Sequence, residues 1–519
     1  MPDTYEKDYH LDIHGKHYSR IGMLILILVG TFGAMLMQTS LGTAIPTLMN
    51  DFNISMSTAQ QATTWFLLAN GIMVPISAYL ATKFPTRWLY VTAYAILFIG
   101  MFVAYSAPTS SWWVFLAGRI LQAIAVGITM PLMQVALVNM FPAKQMGAIM
   151  GVAGVVLVLA PALGPTFAGW LITHKFNLIF WTFAASWRTI FLIPMIVVGV
   201  VFLISIFAMR DVIPNRPMKL DFLSVLLSVV GFGAFLWGFT NVATDGWGKF
   251  NTVIAPIVGG LIIIFLFGLR QLKMDDPFLD IRVFKIRQFT LVTLALALST
   301  MAMMGVEMML PLYLQDVHGL SAFNSGLVLL PGSLMMAVVA PLAGGVYDRI
   351  GSKRLAVIGF LVLALGTIPF MFFTATTPDH FVTLLYGLRM VGVGMVMMPL
   401  TTSAMNAVPV NEVAQATERR ATASNNTARQ VASSVVVALL SSVAQNVITN
   451  NMPASSLKST NPLQFANKAI EAMLQGYHAS FAIGLVFAII GIGVALFLKS
   501  GRMISGVPVE EQDLKGENK

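Results

Sequence analysis

The chain has 519 residues, 57% of them hydrophobic and 10% charged, and its mean hydropathy is +0.79. This composition excludes an ordinary soluble globular protein and indicates a membrane protein. The absence of cysteine excludes disulfide bonds and thiolate metal sites, whereas the formal net charge of +9 says little about partners until it is located along the chain.

The first segment, residues 1–20, is polar and predicts a cytoplasmic tail. The apolar stretch after it is long and lacks a small-residue cleavage site, which indicates a permanent first helix instead of a signal peptide. His10, His14 and His17 lie in this tail without a scaffold, so we expect no metal site there. We expect no cofactor either, since the chain has no ATP-binding Gly-x-x-x-x-Gly-Lys pattern.

Apolar runs recur from Ile21 to Leu498. Each is about 20 residues long, which is enough for a helix to cross a hydrocarbon core of about 30 Å. They predict an all-α membrane protein with about fourteen spans, beginning near residues 21, 60, 88, 112, 145, 187, 221, 251, 289, 324, 354, 381, 424 and 479. The longest external segment is expected from about Ile448 to Tyr477, with one short helix, NKAIEAMLQ.

The basic residues follow this topology. With the tail inside, most Lys and Arg fall in cytoplasmic turns, and the external ones are Lys175, Lys249, Lys458 and Lys468. This asymmetry is the positive-inside rule. It explains the charge without nucleic acid and predicts that both termini are cytoplasmic.

An internal repeat predicts the architecture. AIPTLMNDF at 44 matches MLPLYLQDV at 309, and LAGRILQAIAVG at 116 matches LYGLRMVGVGMV at 385. Parallel repeats of this kind are found in secondary transporters. We therefore expect two six-helix bundles with two additional helices between them, divided as a tail 1–20, a bundle 21–210, the additional helices and linkers 211–288, a bundle 289–500 and a tail 501–519.

The fourth span carries an arginine within the membrane. Arg119 lies about seven residues below the outer end, with Gln122 further in, and Arg389 occupies the equivalent place in the second half. Insertion of an arginine into a bilayer costs about 2.5 to 3.5 kcal/mol, so the side chain should face a cavity or a partner. The alternative is that it extends to the outer surface.

The fifth span is rich in small residues and prolines. Small residues allow helices to approach closely, and prolines kink a helix where neighbours can satisfy the freed carbonyl groups. Helix packing alone is the alternative reading of the residues concerned, which are Gly154, Pro161, Gly164, Pro165 and Gly169.

The ninth span contains one carboxylate, Glu307, in the stretch MMGVEMMLPL. Burial disfavours the charged form of a carboxyl group, so its protonation can respond to which side of the membrane is accessible. This is the property that a proton-coupling site needs. The alternatives are an acid at a helix end that reaches the outer aqueous face, or one permanently paired with an arginine.

Polar, amphipathic and methionine side chains within the spans are candidates for a substrate cavity. Polar groups in spans tend to face the interior, and methionines repack around varied ligands. Lipid-facing or core positions are the alternative for the methionines. The candidates are Gln38, Trp65, Asn70, Gln122, Gln134, Met304 and Met308.

A glycine-rich turn joins two spans of the second half, in GGVYDRIGSKR. Gly344 allows close packing, Asp348 and Arg349 can bond helix ends, and Gly351 can adopt a positive φ. An ordinary basic cytoplasmic turn is the alternative. The first-half copy, AYLATKFPTR, has Thr82 in place of the acid, so a charged gate is not expected there.

These motifs resemble those of the major facilitator superfamily: the turn, the fourth-helix arginine and APALGPTFAGW, which looks like that superfamily's antiporter motif. SWRTIFLIP, DPFLDIRVFKIRQF, NNTARQ and the span count are together similar to the QacA/EmrB-type drug:proton antiporters. The resemblance implies proton coupling that involves Arg119. One departure matters, because the family carries an aspartate in the first helix where this chain has Met37.

The sequence therefore predicts a proton-coupled multidrug efflux antiporter that works by alternating access. Its partners would be protons, membrane lipid and small hydrophobic, amphipathic or cationic compounds, and it would act as a monomer in a bacterial cell membrane. The alternative is an exporter of a dedicated metabolite, amino acid or lipid. A membrane enzyme is disfavoured, since no nucleophilic cysteine or carboxylate cluster is present.

Overall fold

The computed structural model describes residues 11–178, 181–213, 221–274, 277, 281–406, 414–499, 503–504 and 507–508. Long α-helices account for most of this part of the chain. The first half contains α1 (Arg20–Thr39), α2 (Ile45–Phe52), α3 (Met56–Lys83), α4 (Thr86–Ser106), α5 (Trp112–Met140), α6 (Ala143–Thr173) and α7 (Thr189–Ala208).

Two further helices follow, α8 (Phe222–Asp245) and α9 (Ala255–Lys273). The second half contains α10 (Arg287–Leu312), α11 (Ala322–Thr367), α12 (Asp379–Asn406), α13 (Ala414–Asn451), α14 (Ser455–Thr460) and α15 (Pro462–Leu496). Two short antiparallel strand pairs are also present, β1 (Phe176–Leu178) with β2 (Trp181–Phe183) and β3 (Met503–Ile504) with β4 (Val507–Pro508).

Twelve segments of the described chain are long and apolar enough to cross a membrane. Two of them, Ala322–Tyr347 and Arg349–Phe372, begin in α11, and the second contains Gly351 near its start, where a φ of 81° interrupts the helix. The helices α3 and α6 are not among the twelve, although their 28 and 31 residues are enough to span about 40 Å at 1.5 Å per residue. The count of fourteen therefore stays a prediction.

The predicted external segment near 448–477 is wrong in one respect. The helix α13 continues to Asn451 and α15 already begins at Pro462, so NKAIEAMLQ is part of a long helix and not a separate one. Asn461 caps α15 by accepting a hydrogen bond from the backbone N–H of Gln464. Polar residues can continue a helix beyond the bilayer, where hydropathy no longer marks it.

The buried apolar residues form two large clusters, which follow the two halves. One cluster extends from Met23 to Ile213 and includes residues of α1–α7 and of the segment that follows α7. The other is built mainly from residues between Val283 and Leu498. We call these parts of the chain the first half and the second half.

The repeat is also visible in matching hydrogen bonds. Asp51 lies five residues after Pro46, and its Oδ2 accepts from Trp187 Nε1 at 2.8 Å, just before α7. Asp316 lies five residues after Pro311, and its Oδ2 accepts from Tyr477 Oη, in α15, at 2.8 Å. In each half an acid after the first helix therefore accepts a hydrogen bond from an aromatic side chain, which lies just before α7 in the first half and within α15 in the second.

The helices α8 and α9 pack against both halves. Leu236 of α8 lies in one apolar cluster with Ile72 of α3 and Ala438 of α13, and Ser442 Oγ of α13 donates to the Phe239 carbonyl at 2.8 Å. The α8–α9 pair therefore covers a seam between the halves.

The two halves contact each other at the end of the bundle where α1 ends and α3 begins, which we call the distal end. Thr166 Oγ1 of α6 donates to the Gly326 carbonyl of α11 at 2.9 Å, and Gln315 Nε2 donates to the Thr43 carbonyl at 3.0 Å. A Cβ at Gly169 would collide with the Ala322 carbonyl. The absence of side chains at these glycines is what allows the halves to meet so closely.

Candidate functional site

Glu307 lies five residues before the end of α10. Its neighbours Gly305, Val306 and Met308 are buried, whereas Glu307 itself is half-buried. Among the described residues, it forms no ion pair within 4.0 Å. The carboxyl group is thus enclosed by a largely apolar segment without a fixed counter-ion.

Arg389 of α12 contacts α10 five residues before Glu307, at the Ala302 carbonyl. It is fully buried. Its Nε donates to Thr367 Oγ1 at 2.8 Å, and its Nη2 donates to the Ala302 carbonyl of α10 at 2.9 Å. The sequence offered an arginine partner for Glu307 as an alternative but did not identify Arg389, because 82 residues separate the two. Only the packing of α12 on α10 brings Arg389 to this helix.

Arg119 lies in the first half, on α5. It is fully buried, and its Nη1 donates to the Met37 carbonyl at 3.0 Å and to Gln122 Oε1 at 2.7 Å. The ring of Phe66 covers the guanidinium, with 4.3 Å between Cζ and the ring centroid. Gln122 Nε2 donates to the Gly100 carbonyl at 3.0 Å, so this glutamine holds Arg119 in place between α1 and α4.

The same arginine contact is built twice. Met37 lies nine residues before Pro46, and Ala302 lies nine residues before Pro311. In each half, the arginine of the equivalent helix donates to the carbonyl of that residue. The halves differ four residues before the proline, where the first has Gly42 and the second has Glu307.

The cavity candidates lie on helices of both halves. Trp65 lines a crevice of about 570 Å³ with residues of α8 and the start of α9, among them Gly233, Trp237 and Pro256, and none of the other candidates lines it. Gln38 and Gln134 are half-buried and Asn70 is buried. Met304 and Met308 lie in the apolar core of the second half. The sequence missed the α8 and α9 residues because nothing in them marks a contact with α3.

The prolines of α6 have a specific consequence. Pro165 has no N–H, so the carbonyl of residue 161, one turn earlier, loses its helical partner. Thr39 Oγ1 of α1 donates to that Pro161 carbonyl at 2.9 Å, and Thr43 Oγ1 donates to the Pro165 carbonyl at 2.9 Å. Gly164 lies between them, where a Cβ would collide with Thr39. The surroundings of Gly154 lie outside the described residues.

The glycine-rich turn lies inside α11 at the end of the bundle opposite the distal end. Gly351 has the left-handed φ of 81° that the turn requires, and a Cβ at Gly344 would lie 3.7 Å from Met398 Cγ. Arg349 is exposed. The side chain of Asp348 lies outside the described residues, so its gating role stays a prediction.

Comparisons with known proteins agree with this architecture. The profile of the Major Facilitator Superfamily matches residues 27–437. The chain is 38% identical over 500 residues to an uncharacterized MFS-type transporter, YcnB, of Bacillus subtilis (strain 168), covering 96% of this chain and 98% of that protein. It is 34% identical over 493 residues to the lincomycin resistance protein LmrB of the same organism, covering 93% and 97%.

A solved structure shares the fold. The bacterial homolog of the human lysosomal transporter Spinster, in an inward-facing and occupied conformation, superimposes with a TM-score of 0.63 at 13% identity, covering 92% of this chain and 96% of that one. The helical bundle, the repeated arginine contacts and the matched profile lead to one conclusion: the chain belongs to the major facilitator superfamily.

Proposed function

We propose that this chain is a proton-coupled antiporter, of the fourteen-span QacA/EmrB type, that exports small hydrophobic or amphipathic compounds across a bacterial cell membrane by alternating access. The names of its relatives, lincomycin resistance protein and multidrug resistance protein B homolog, support drug export. The observation that carries the coupling is Glu307, a half-buried carboxyl group in α10, the helix that the fully buried Arg389 contacts at Ala302.

The contacts of Arg389 suggest how a proton would change the site. Its Nε and Nη2 are occupied by Thr367 and Ala302, and its Nη1 has no hydrogen-bond partner among the described residues. When Glu307 loses its proton to water, the carboxylate becomes an acceptor for a donor such as this one. Proton loading and release would then favour different arrangements of α10 and α12, as coupling requires.

The test uses purified protein in liposomes with an imposed pH gradient and a fluorescent hydrophobic drug. We expect Glu307→Gln to abolish accumulation against the drug gradient while leaving downhill exchange of the drug. Glu471→Gln changes an exposed glutamate of α15 and is the matched control. Undiminished uphill transport by Glu307→Gln, at normal expression, would refute the coupling role.

An exporter of one dedicated compound is a second candidate. It is favoured by Met37, which places a thioether and not a carboxylate at the first-helix position where the multidrug antiporters carry an acid. Competition between chemically unrelated dyes for transport would separate the two, since a multidrug exporter shows mutual inhibition and a dedicated exporter does not.

A further inference from the structure

Arg119 keeps one edge of its guanidinium unoccupied. Nη1 is committed to Met37 and Gln122. Nε and Nη2 are buried, and neither has a hydrogen-bond partner within the described part of the chain. These two nitrogens form the side-on edge of the guanidinium, with two parallel N–H groups in one plane.

The same edge binds a carboxylate elsewhere in this protein. Arg270 donates from Nε to Asp221 Oδ2 at 2.7 Å and from Nη2 to Asp221 Oδ1 at 2.9 Å. In Arg389 this edge is occupied by Thr367 Oγ1 and the Ala302 carbonyl. The Nε–Nη2 edge of Arg119 therefore has the geometry that binds a carboxylate, and no neighbouring side chain that the structure describes occupies it.

The charges of the buried side chains also favour an anionic ligand. Among the described residues, the helices fully bury two arginines, Arg119 and Arg389, whereas Glu307 is a half-buried carboxylate of α10. Asp51 and Asp316 are held by Trp187 and Tyr477 at the distal end. Arginine does not deprotonate in proteins, and a buried charge without a counter-ion is strongly unfavourable. A bound anion would compensate the positive charge of the buried arginine, and a bound cation would not.

We propose that Arg119 binds the carboxylate group of a transported compound through Nε and Nη2, so that the substrates include amphipathic weak acids. This inference rests on the proposed export function. The ring of Phe66 covers the guanidinium face and leaves its edge to the carboxylate. Arg119 is enclosed in the state described here, and the carboxylate enters in a state that opens this edge.

The decisive variant is Met37→Asp. The carbonyl of Met37 already lies 3.0 Å from Arg119 Nη1, so a carboxylate on the same residue competes with the ligand for the guanidinium. Met37→Asn has the same size without the charge and is the matched control. Arg119→Gln removes the Nε–Nη2 edge directly. It is the secondary variant, because it also removes the contact with the Met37 carbonyl and can impair folding.

The probes are decanoate and decyltrimethylammonium, which share a chain length and differ in charge. Each is titrated into protein in nanodiscs, with empty nanodiscs as the blank, and binding is followed by tryptophan fluorescence. We expect saturable decanoate binding by the wild type and by Met37→Asn. In Met37→Asp and Arg119→Gln we expect affinity to fall about tenfold or more, the effect of losing a charged hydrogen-bond pair. The affinity for decyltrimethylammonium should not fall in any of the three variants.

Equal decanoate affinity in the wild type and Met37→Asp would overturn the proposal, because binding would then not use Arg119. A thermal stabilisation by sodium chloride alone, lost in Met37→Asp and not displaced by decanoate, would also overturn it and assign the site to a halide. Binding is measured without a gradient, so decanoate-binding protein that shows no proton-driven efflux would refute the proposed coupling and leave this site intact.

Discussion

The hydroxyl of Thr39 in α1 donates to the carbonyl of Pro161 in α6, over 2.9 Å. It replaces the N–H that Pro165 lacks. One first-helix side chain therefore compensates for a proline 126 residues further along the chain, and the kinked helix depends on its neighbour for a hydrogen bond.

Thr39→Val should destabilise the protein. The shape is kept, but the Pro161 carbonyl loses its partner inside the bundle, at about 1 to 3 kcal/mol. The measurement is thermal unfolding in detergent. Thr402→Val is the matched control, since Thr402 Oγ1 bonds only the Met398 carbonyl of its own helix, which keeps its helical partner.

A second background sharpens this prediction. Pro165→Ala returns an N–H to the position four residues after Pro161. Thr39→Val should therefore lower the stability of Pro165→Ala much less than it lowers that of the wild type. An equal loss of stability in the two backgrounds would show that Thr39 does not act through the proline.

Gly169→Ala should open the distal end. A Cβ there collides with the Ala322 carbonyl, which is rigid backbone, so α6 and α11 must separate. Because the chain has no cysteine, Ser325→Cys provides a single thiol in a fully buried position of α11. We expect a membrane-impermeant maleimide to label it faster when Gly169→Ala is present. Gly493→Ala, where a Cβ meets nothing within 4 Å, should leave the labelling rate unchanged.

The pair Asp221–Arg270 should make stability depend on pH. The hydrogen bonds from Arg270 lower the pKa of Asp221 to about 2, below the unfolded value of about 3.9. A lowered carboxyl pKa stabilises the folded state at pH above about 4, and this stabilisation is lost as the pH falls towards 2.

Asp221→Asn should therefore lower stability at pH 6, by roughly 1 kcal/mol because the pair is partly exposed, and should have little effect near pH 2. Thermal unfolding of both proteins across this range is the measurement. Arg270→Lys, which keeps the charge but not the two-point contact, should have an intermediate effect. A difference that does not vary with pH would mean that the charge of Asp221 is not involved.

Glu307 and Arg389 should show energetic coupling. Arg389→Gln leaves the carboxylate without its basic neighbour, so Glu307→Gln should be less harmful in that background than in the wild type. We expect a coupling energy of about 0.5 to 3 kcal/mol from a double-mutant cycle of thermal unfolding at pH 8. Glu307→Gln combined with Arg119→Gln, in different halves, should be additive.

Hydropathy and the internal repeat were enough to predict the helices and the paired arginines. Span starts near 21, 88 and 112 agree with helices that begin at Arg20, Thr86 and Trp112, because lipid imposes a continuous apolar stretch. The same criterion failed at α15, whose polar first turns lie beyond Asn461 where no such constraint acts.

Contacts between distant helices could not be predicted in this way. The contact of Arg389 with the Ala302 carbonyl of α10, and the unoccupied edge of Arg119, depend on which nitrogen faces which carbonyl. Side-chain direction of this kind follows from packing and not from spacing along the chain. The departure from the resembling family at Met37 was visible in the sequence, but its contact with Arg119 follows only from the packing of α1 against α5.

The α8–α9 pair has a mechanical consequence. It contacts Ile72 in α3 of the first half and Ala438 in α13 of the second half. The ion pair between Asp221 and Arg270 joins the start of α8 to α9. A movement of one half against the other would change the contact of α8 with Ile72, its contact with Ala438, or both. The α8–α9 pair would therefore limit how far the two bundles can separate.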